Sequence, residues 1–160
     1  MTGPSSELVR AGPEDAEAIS SMAYGLLFEV YTYVPAERVS EFYEENLTAD
    51  AIRSRMAEGH VYAFAVLDGG RVGYISYSID GAEMEIGKLY LIESHRGAGL
   101  GSWIMDRLLG TAVDAGVGTV RLQVNCGNHG AVRFYGRRGF RNVAVRRSYE
   151  TEIMTMELRL

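Results

Sequence analysis

The chain has 160 residues and a mass of 17.6 kDa, enough for one ordinary globular domain with a substantial core. Its 47% hydrophobic and 23% charged residues exclude a disordered chain. A net charge of -5 argues against nucleic acid as a partner, because phosphate-backbone binding needs a basic face; a small anion needs only local N–H groups and a few arginines. No window approaches the roughly 18 apolar residues of a membrane span, and residues 1–7 lack the basic and apolar regions of a signal peptide. The lone Cys126 can form neither an internal disulfide nor a multi-cysteine metal site. The expectation is a single cytoplasmic domain over residues 1–160, with no membrane and no nucleic-acid partner.

In chain order, residues 7–10 predict a short strand ended by Ala11-Gly12-Pro13. Pro13, Glu14 and Asp15 open a helix with acids at its positive end, and Ala16, Ile19, Met22, Leu26 and Val30 continue it at helical spacing. Pro35 interrupts; a second helix is predicted over 36–45 and a third over 49–58, capped by Thr48 and stopped by Gly59. The period then changes. Residues 60–67 and 71–79 are rich in β-branched and aromatic side chains and flank Asp68-Gly69-Gly70, which predicts an antiparallel hairpin. A strand over 83–92, a glycine-rich turn over 97–101, a helix to about residue 115, a strand over 120–124, a helix over 128–138 capped by Gly139, and two final strands follow. The order is a mixed α/β layer.

The glycine-rich turn carries the most chemistry. A strand feeds Arg96-Gly97-Ala98-Gly99-Leu100-Gly101-Ser102, which opens straight into a helix. A helix start leaves N–H groups unpaired and concentrates positive partial charge, a seat for phosphate. Glycine at 97, 99 and 101 removes the Cβ atoms that would hold a diphosphate away, and Arg96 adds a charge-assisted donor; tight packing is the plainer explanation. A Walker loop would need a lysine after the glycines, but the sole lysine, Lys88, precedes them, and the spacing Gly97-x-Gly99-x-Gly101 is not that of a dinucleotide fingerprint. Farther on, Asn128, Ala131 and Tyr135 share one helical face. A phenol so placed can protonate a leaving thiolate, or it can be a core aromatic.

Arg96-x-x-Gly99-x-Gly101 followed by Asn128-x-x-Ala131-x-x-Phe134-Tyr135-x-x-x-Gly139-Phe140 resembles the GNAT superfamily of acyl-CoA-dependent N-acyltransferases. The resemblance implies an α/β (α+β) fold: a mixed, mostly antiparallel, splayed sheet with helices on both faces and CoA wedged between two central strands. It implies acetyl-CoA as acyl-donor co-substrate, with its pyrophosphate on the N–H groups of Gly97, Ala98, Gly99, Leu100, Gly101 and Ser102. Leu91 would bind the pantetheine arm through its backbone, Asn128 would bind CoA, and Tyr135 would be general acid beside the sulfur. Glu93 stands where many relatives carry proline, a departure expected to alter only the local turn.

An amine attacks only when neutral, so its proton needs a route out. Glu83 and Glu85 lie two residues apart on one strand face. In some superfamily members a glutamate six residues before the position of Leu91 is the base, and Glu85 matches it; a solvated strand face, or water as base, is the alternative. The superfamily's acceptor pocket would here draw on Tyr24, Phe28, Glu29, Tyr31, Tyr33, Glu44, Glu45, Tyr149, Glu150 and Glu152, aromatic and acidic groups suited to an ammonium. His60, His95 and His129 have no metal-site spacing, so no metal is expected. Cys126 lacks a paired base and reads as an incidental thiol, and Arg137 and Arg138 offer either a ribose-phosphate contact or a dipole complement. The expected activity is acetyl transfer from acetyl-CoA to a primary amine by direct attack, with small amines, polyamines, amino acids and peptide amines all open as acceptors, in a homodimer joined by exposed final strands. A non-catalytic acyl-CoA sensor is the competing class.

Overall fold

The computed structural model describes residues 5–91 and 99–160. The elements are β1 (Ser6–Arg10), α1 (Ala16–Val30), α2 (Ala36–Asn46), α3 (Ala49–Ala57), β2 (Val61–Leu67), β3 (Gly70–Asp80), β4 (Glu83–Leu91), α4 (Leu100–Asp114), β5 (Thr119–Asn125), α5 (His129–Arg137), β6 (Arg141–Ser148) and β7 (Thr151–Arg159). Local chemistry accounts for most boundaries. Thr48 caps α3 by accepting from the Ala51 N–H at 3.2 Å. Asp68 and Gly69 adopt φ of 50° and 84°, the paired left-handed conformation that a two-residue hairpin requires.

The strands form one sheet in the order β1-β2-β3-β4-β5-β7-β6. Every pairing is antiparallel except β4 with β5. Helix α4 packs on one face, where Leu100, Ile104, Leu108 and Ala112 are buried with Ile75, Met84, Ile86, Leu91 and Leu122. Helices α1, α2 and α3 cover Tyr62, Phe64, Val66 and Tyr74 on the other. This is the mixed, mostly antiparallel sheet with helices on both faces that the sequence predicts. The buried stripe of α1 is turned from expectation: Ala23 and Leu27 are buried, while Met22 and Val30 are only partly covered. The apolar positions of α1 are wide enough for either stripe, and tertiary packing selects one.

Two irregularities shape the middle of the sheet. The parallel ladder of β4 with β5 runs from Glu83↔Thr119 to Ile86↔Leu122 and stops there, although β4 continues to Leu91 and β5 to Asn125. The two central strands therefore diverge toward their carboxyl ends. In addition, β3 pairs Ser76 with Lys88 but Tyr77 with Ile86, leaving Gly87 as a bulge. A Cβ at Gly87 would lie 2.7 Å from the Ser76 hydroxyl, and one at Gly73 only 2.0 Å from the Tyr90 carbonyl. Glycine at these two positions is what lets β3 press against the bulged strand.

Candidate active site at the opening of the sheet

The amino end of α4 stands at the carboxyl end of β4. Gly99, with φ of 82°, is its N-cap, and its carbonyl accepts from the Trp103 N–H at 3.0 Å to close the first turn. The first N–H groups of a helix, here from Leu100 on, have no intrahelical acceptor, and no acidic residue occupies the first turn. The positive end of this 15-residue helix is therefore unopposed from within its own first turn. A Cβ on Gly99 would meet nothing within 4 Å, so the positive φ is what calls for glycine there; one on Gly101 would make only ordinary contact with Phe134 at 3.7 Å. Arg96, Gly97 and Ala98 lie outside the described residues, as does residue 92 at the predicted end of the strand.

Across the opening, β5 turns into α5 through Asn125-Cys126-Gly127-Asn128. Asn125 is buried; its Oδ1 accepts from the Gly127 N–H at 2.9 Å, and its Nδ2 donates to the Thr151 hydroxyl at 3.0 Å. Asn128 caps α5, its Oδ1 accepting from the Ala131 N–H at 3.3 Å, which leaves its Nδ2 as the group able to donate elsewhere. Tyr135 points into the α4-side core beside Phe134 and Phe140, with ring centroids 5.4 and 5.8 Å away. Burial, and then the neighbouring Tyr31, push its phenol well above the ordinary range. Tyr90 on the opposite sheet face feels Tyr135 in turn. The phenols of Tyr135, Tyr90 and Tyr31 thus share one environment, reached from both faces at the place where β4 and β5 part.

The bulge decides what faces the helices α1 to α3. Met84, Ile86, Leu89 and Leu91 point to α4, whereas Tyr90 packs with the opposite core, and Glu83, Glu85 and Lys88 lie on that same opposite face. Tyr31 and Tyr90 share a hydrogen bond of 3.2 Å between hydroxyls, and Tyr90 meets Tyr74 edge-on at 5.7 Å. Glu85 is solvent-exposed and sits opposite Arg121 in the parallel register. Arg121 is held by Glu157 at 2.5 Å and lies 3.6 Å from Glu83. Within the expected acceptor set, Tyr24 meets Phe28 at a tilt and Tyr43 edge-on, and Tyr33 lies against Gly127, where a Cβ would fall 2.3 Å from its ring.

Tyr149 joins the last hairpin to α2. It sits at the tip of the β6–β7 hairpin, where Tyr149 and Glu150 have φ of 50° and 60°, a left-handed pair built without glycine and hence strained. The tip is fastened to α2: Tyr149 donates to Glu45, accepts from Asn46 Nδ2 at 3.3 Å, and meets Phe42 edge-on at 5.4 Å. Arg138 pairs with Asp106 of α4, so it ties the two helices of that face together.

Lys88 is the residue that sequence reasoning missed. Its Nζ lies over the Phe42 ring at 4.8 Å and near Tyr90 at 5.9 Å, and burial, helped by Arg55, pulls its pKa down to about 8. The signal was available as the one lysine of the chain, set in a half-buried strand. The folded protein holds this proton less tightly than the unfolded chain, so the charge costs stability below pH 8 and the cost fades as pH rises from about 8 to the ordinary 10.5. Lys88→Met is therefore expected to stabilise the protein at pH 7 by up to about 3 kcal/mol, with the gain shrinking toward pH 10.5. Thermal melts of both proteins across that range check it; a gain independent of pH would mean that Lys88 is not buried as a cation.

Among the described residues, no helix is long and apolar enough to cross a membrane. Comparison with known proteins bears on the same elements. The acetyltransferase (GNAT) family profile matches residues 24–140. Proteins named as uncharacterised N-acetyltransferases of Mycobacterium tuberculosis and Mycobacterium bovis are 30% identical over 112 residues, 68% of this chain and 70% of theirs. Among solved structures, the chain is similar to the PaiA N-acetyltransferase of Thermoplasma acidophilum in complex with coenzyme A (19% identity, TM-score 0.81, covering 94% of this chain and 98% of that one). It is also similar to Ard1 of Thermoplasma volcanium (25% identity, TM-score 0.73, 97% of each chain) and to YncA of Salmonella typhimurium, a putative acetyltransferase with acetyl-CoA (20% identity, TM-score 0.66, 99% and 94%). With the divergent central strands and the glycine-capped helix on which that profile falls, these likenesses establish that the chain belongs to the acetyltransferase (GNAT) family.

Proposed function

We propose that this protein transfers the acetyl group of acetyl-CoA directly to a primary amine. The observation that carries the reading is the gap between β4 and β5 beyond Ile86 and Leu122, with the start of α4 at one end of it and Tyr135 beside it. Similar folds solved with coenzyme A and with acetyl-CoA support the same donor here. The residues present fit it. Among the described residues, the open N–H groups at the start of α4 suit the pyrophosphate, and packing does not demand the glycine at 101; the N–H groups of residues 97–98 and the Arg96 guanidinium, which lie outside the described residues, would complete the seat. Leu91 at the end of β4 offers backbone groups to the pantetheine arm, and Asn128 an amide N–H.

In this reading the amine nitrogen attacks the thioester carbon, the new C–N bond replaces C–S, and the proton of the amine leaves through a base. Tyr135 gives a proton, or a hydrogen bond, to the departing sulfur. Its raised pKa keeps it protonated, as an acid must be. Glu85 is the proposed base and acts through water, since it stands in the open on the acceptor-side face. Glu85→Gln is expected to lower kcat/KM for the amine about 10²-fold while acetyl-CoA affinity is kept. An unaltered pH–rate profile would move the role to water or to Glu83.

Release of free thiol from acetyl-CoA over a panel of amines tests the whole proposal and names the acceptor. Binding of acetyl-CoA with no release over any amine would support the competing class, a domain that senses acyl-CoA without turnover.

A further inference from the structure

On the acceptor side, two cations have no counter-charge among the described residues. Lys88 reaches from β4 under Phe42 of α2. Arg55 reaches from α3, donating to Asn46 Oδ1 at 2.8 Å, and its charge acts on Tyr62, Tyr74 and Lys88. Among the described residues, no carboxylate lies within ion-pair distance of either. The nearby acids of α2 are engaged elsewhere, Glu41 with Arg38 at 3.0 Å and Glu45 with Tyr149. The hydroxyl of Tyr74, wholly buried on β3, has no hydrogen-bond partner among the described residues. Two half-buried cations and an orphaned phenol form a cluster rich in donors and poor in acceptors. Left alone, such a cluster is destabilising.

We propose that Lys88 and Arg55 seat a carboxylate of the acceptor, so that the amine acetylated at this site belongs to a small amino acid and not to a polyamine. The inference rests on the acetyltransferase reading above and names its substrate class. A carboxylate supplies the missing negative charge and acceptor oxygens, and it forms charge-assisted bonds with both cations. The spacing suits the chemistry. Lys88 and Tyr90 lie on one face of β4, two residues and about 7 Å apart, and Tyr90 is bonded to Tyr31, the phenol nearest in influence to Tyr135. A carboxylate held at Lys88 thus places an amine a few bonds away toward the opening of the sheet. A polyamine bound in the same way would set its second ammonium against Lys88 and Arg55, a like-charge contact in a desolvated place.

The test uses the full chain with acetyl-CoA and measures kcat/KM for glycine, β-alanine and γ-aminobutyrate, each beside its carboxamide and corrected for the fraction of neutral amine. At the best of the three spacings the wild type is expected to favour the acid over its amide by about 10–100-fold. Lys88→Met and, separately, Arg55→Gln are each expected to lower that ratio by about tenfold or more. Equal rates for acid and amide in the wild type overturn the proposal. So does a Lys88→Met or Arg55→Gln protein that loses rate on acid and amide alike, since the residue would then act on the reaction and not on the carboxylate. Absence of thiol release with every amine, while acetyl-CoA still binds, sinks the acetyltransfer reading itself and the carboxylate seat with it.

Discussion

Tyr135→Phe is expected to lower kcat by about 10²–10⁴-fold, the usual worth of a positioned general acid, while acetyl-CoA affinity and the melting temperature stay near those of the wild type. The substitution removes one oxygen and keeps the ring against Phe134 and Phe140, so packing is preserved. As the C–S bond breaks, negative charge gathers on sulfur, and only a group that interacts more strongly with that charge than with the intact thioester raises kcat. The loss should then fall equally on kcat and on kcat/KM for the amine. An acyl donor with a more acidic thiol should recover part of the loss, because its sulfur departs without help. Burial holds the Tyr135 proton well above the ordinary range, so the wild type should show no alkaline fall attributable to this residue up to pH 10. Full activity of the phenylalanine variant with acetyl-CoA would make Tyr135 a packing residue.

Gly99→Asp should weaken acetyl-CoA binding about 5–900-fold, and comparison with Gly99→Asn isolates the reason. Asparagine and aspartate both tolerate the left-handed conformation better than other side chains, and both have open space around the new Cβ. The strain at φ of 82° is therefore common to the two, costing each about 1 kcal/mol of stability. What differs is a full negative charge at the mouth of α4, next to the proposed diphosphate. At contact distance that repulsion is worth about 1–4 kcal/mol, depending on how far water is excluded. Titration calorimetry on the folded variants should place Asn close to the wild type and Asp far below it. Equal affinities for the two would show that no anion sits at this helix start.

Much of the architecture was legible because local signals and tertiary demands agree. Thr48, the Asp68-Gly69 pair and the glycines at 59 and 139 mark element ends that the structure keeps, and Leu100, Ile104, Leu108 and Ala112 of α4, set at helical spacing, are buried together. The stripe of α1 was not fixed by its own spacing, because several apolar residues compete for the inner face and only the sheet beneath decides. The candidate site was legible in its elements and obscure in its acceptor side. Asn128 illustrates the limit: the family resemblance implies a contact with CoA, and the structure shows its oxygen already committed to capping α5. Lys88 illustrates the other limit. Alternation along the strand, counted from Glu85, puts Gly87 and Leu89 on the acceptor-side face and Lys88 on the α4 side. Only a bulge, which sequence alternation cannot locate, returns Lys88 to it.

That bulge also sets a rule for anyone wishing to alter what this protein accepts. The residues of β4 that look toward α1 and α2 are Glu83, Glu85, Lys88 and Tyr90, a sequence of steps of two, three and two. A mutagenesis library stepping evenly by twos from Glu85 would randomise Leu89, which packs under α4, and collect unfolded protein in place of new specificity. A Gly87 deletion, by contrast, would remove the extra residue and leave steps of two throughout, so that Lys88 and Tyr90 keep the face toward α1 and α2 and Leu89 keeps its place under α4, on a strand that has lost its bend.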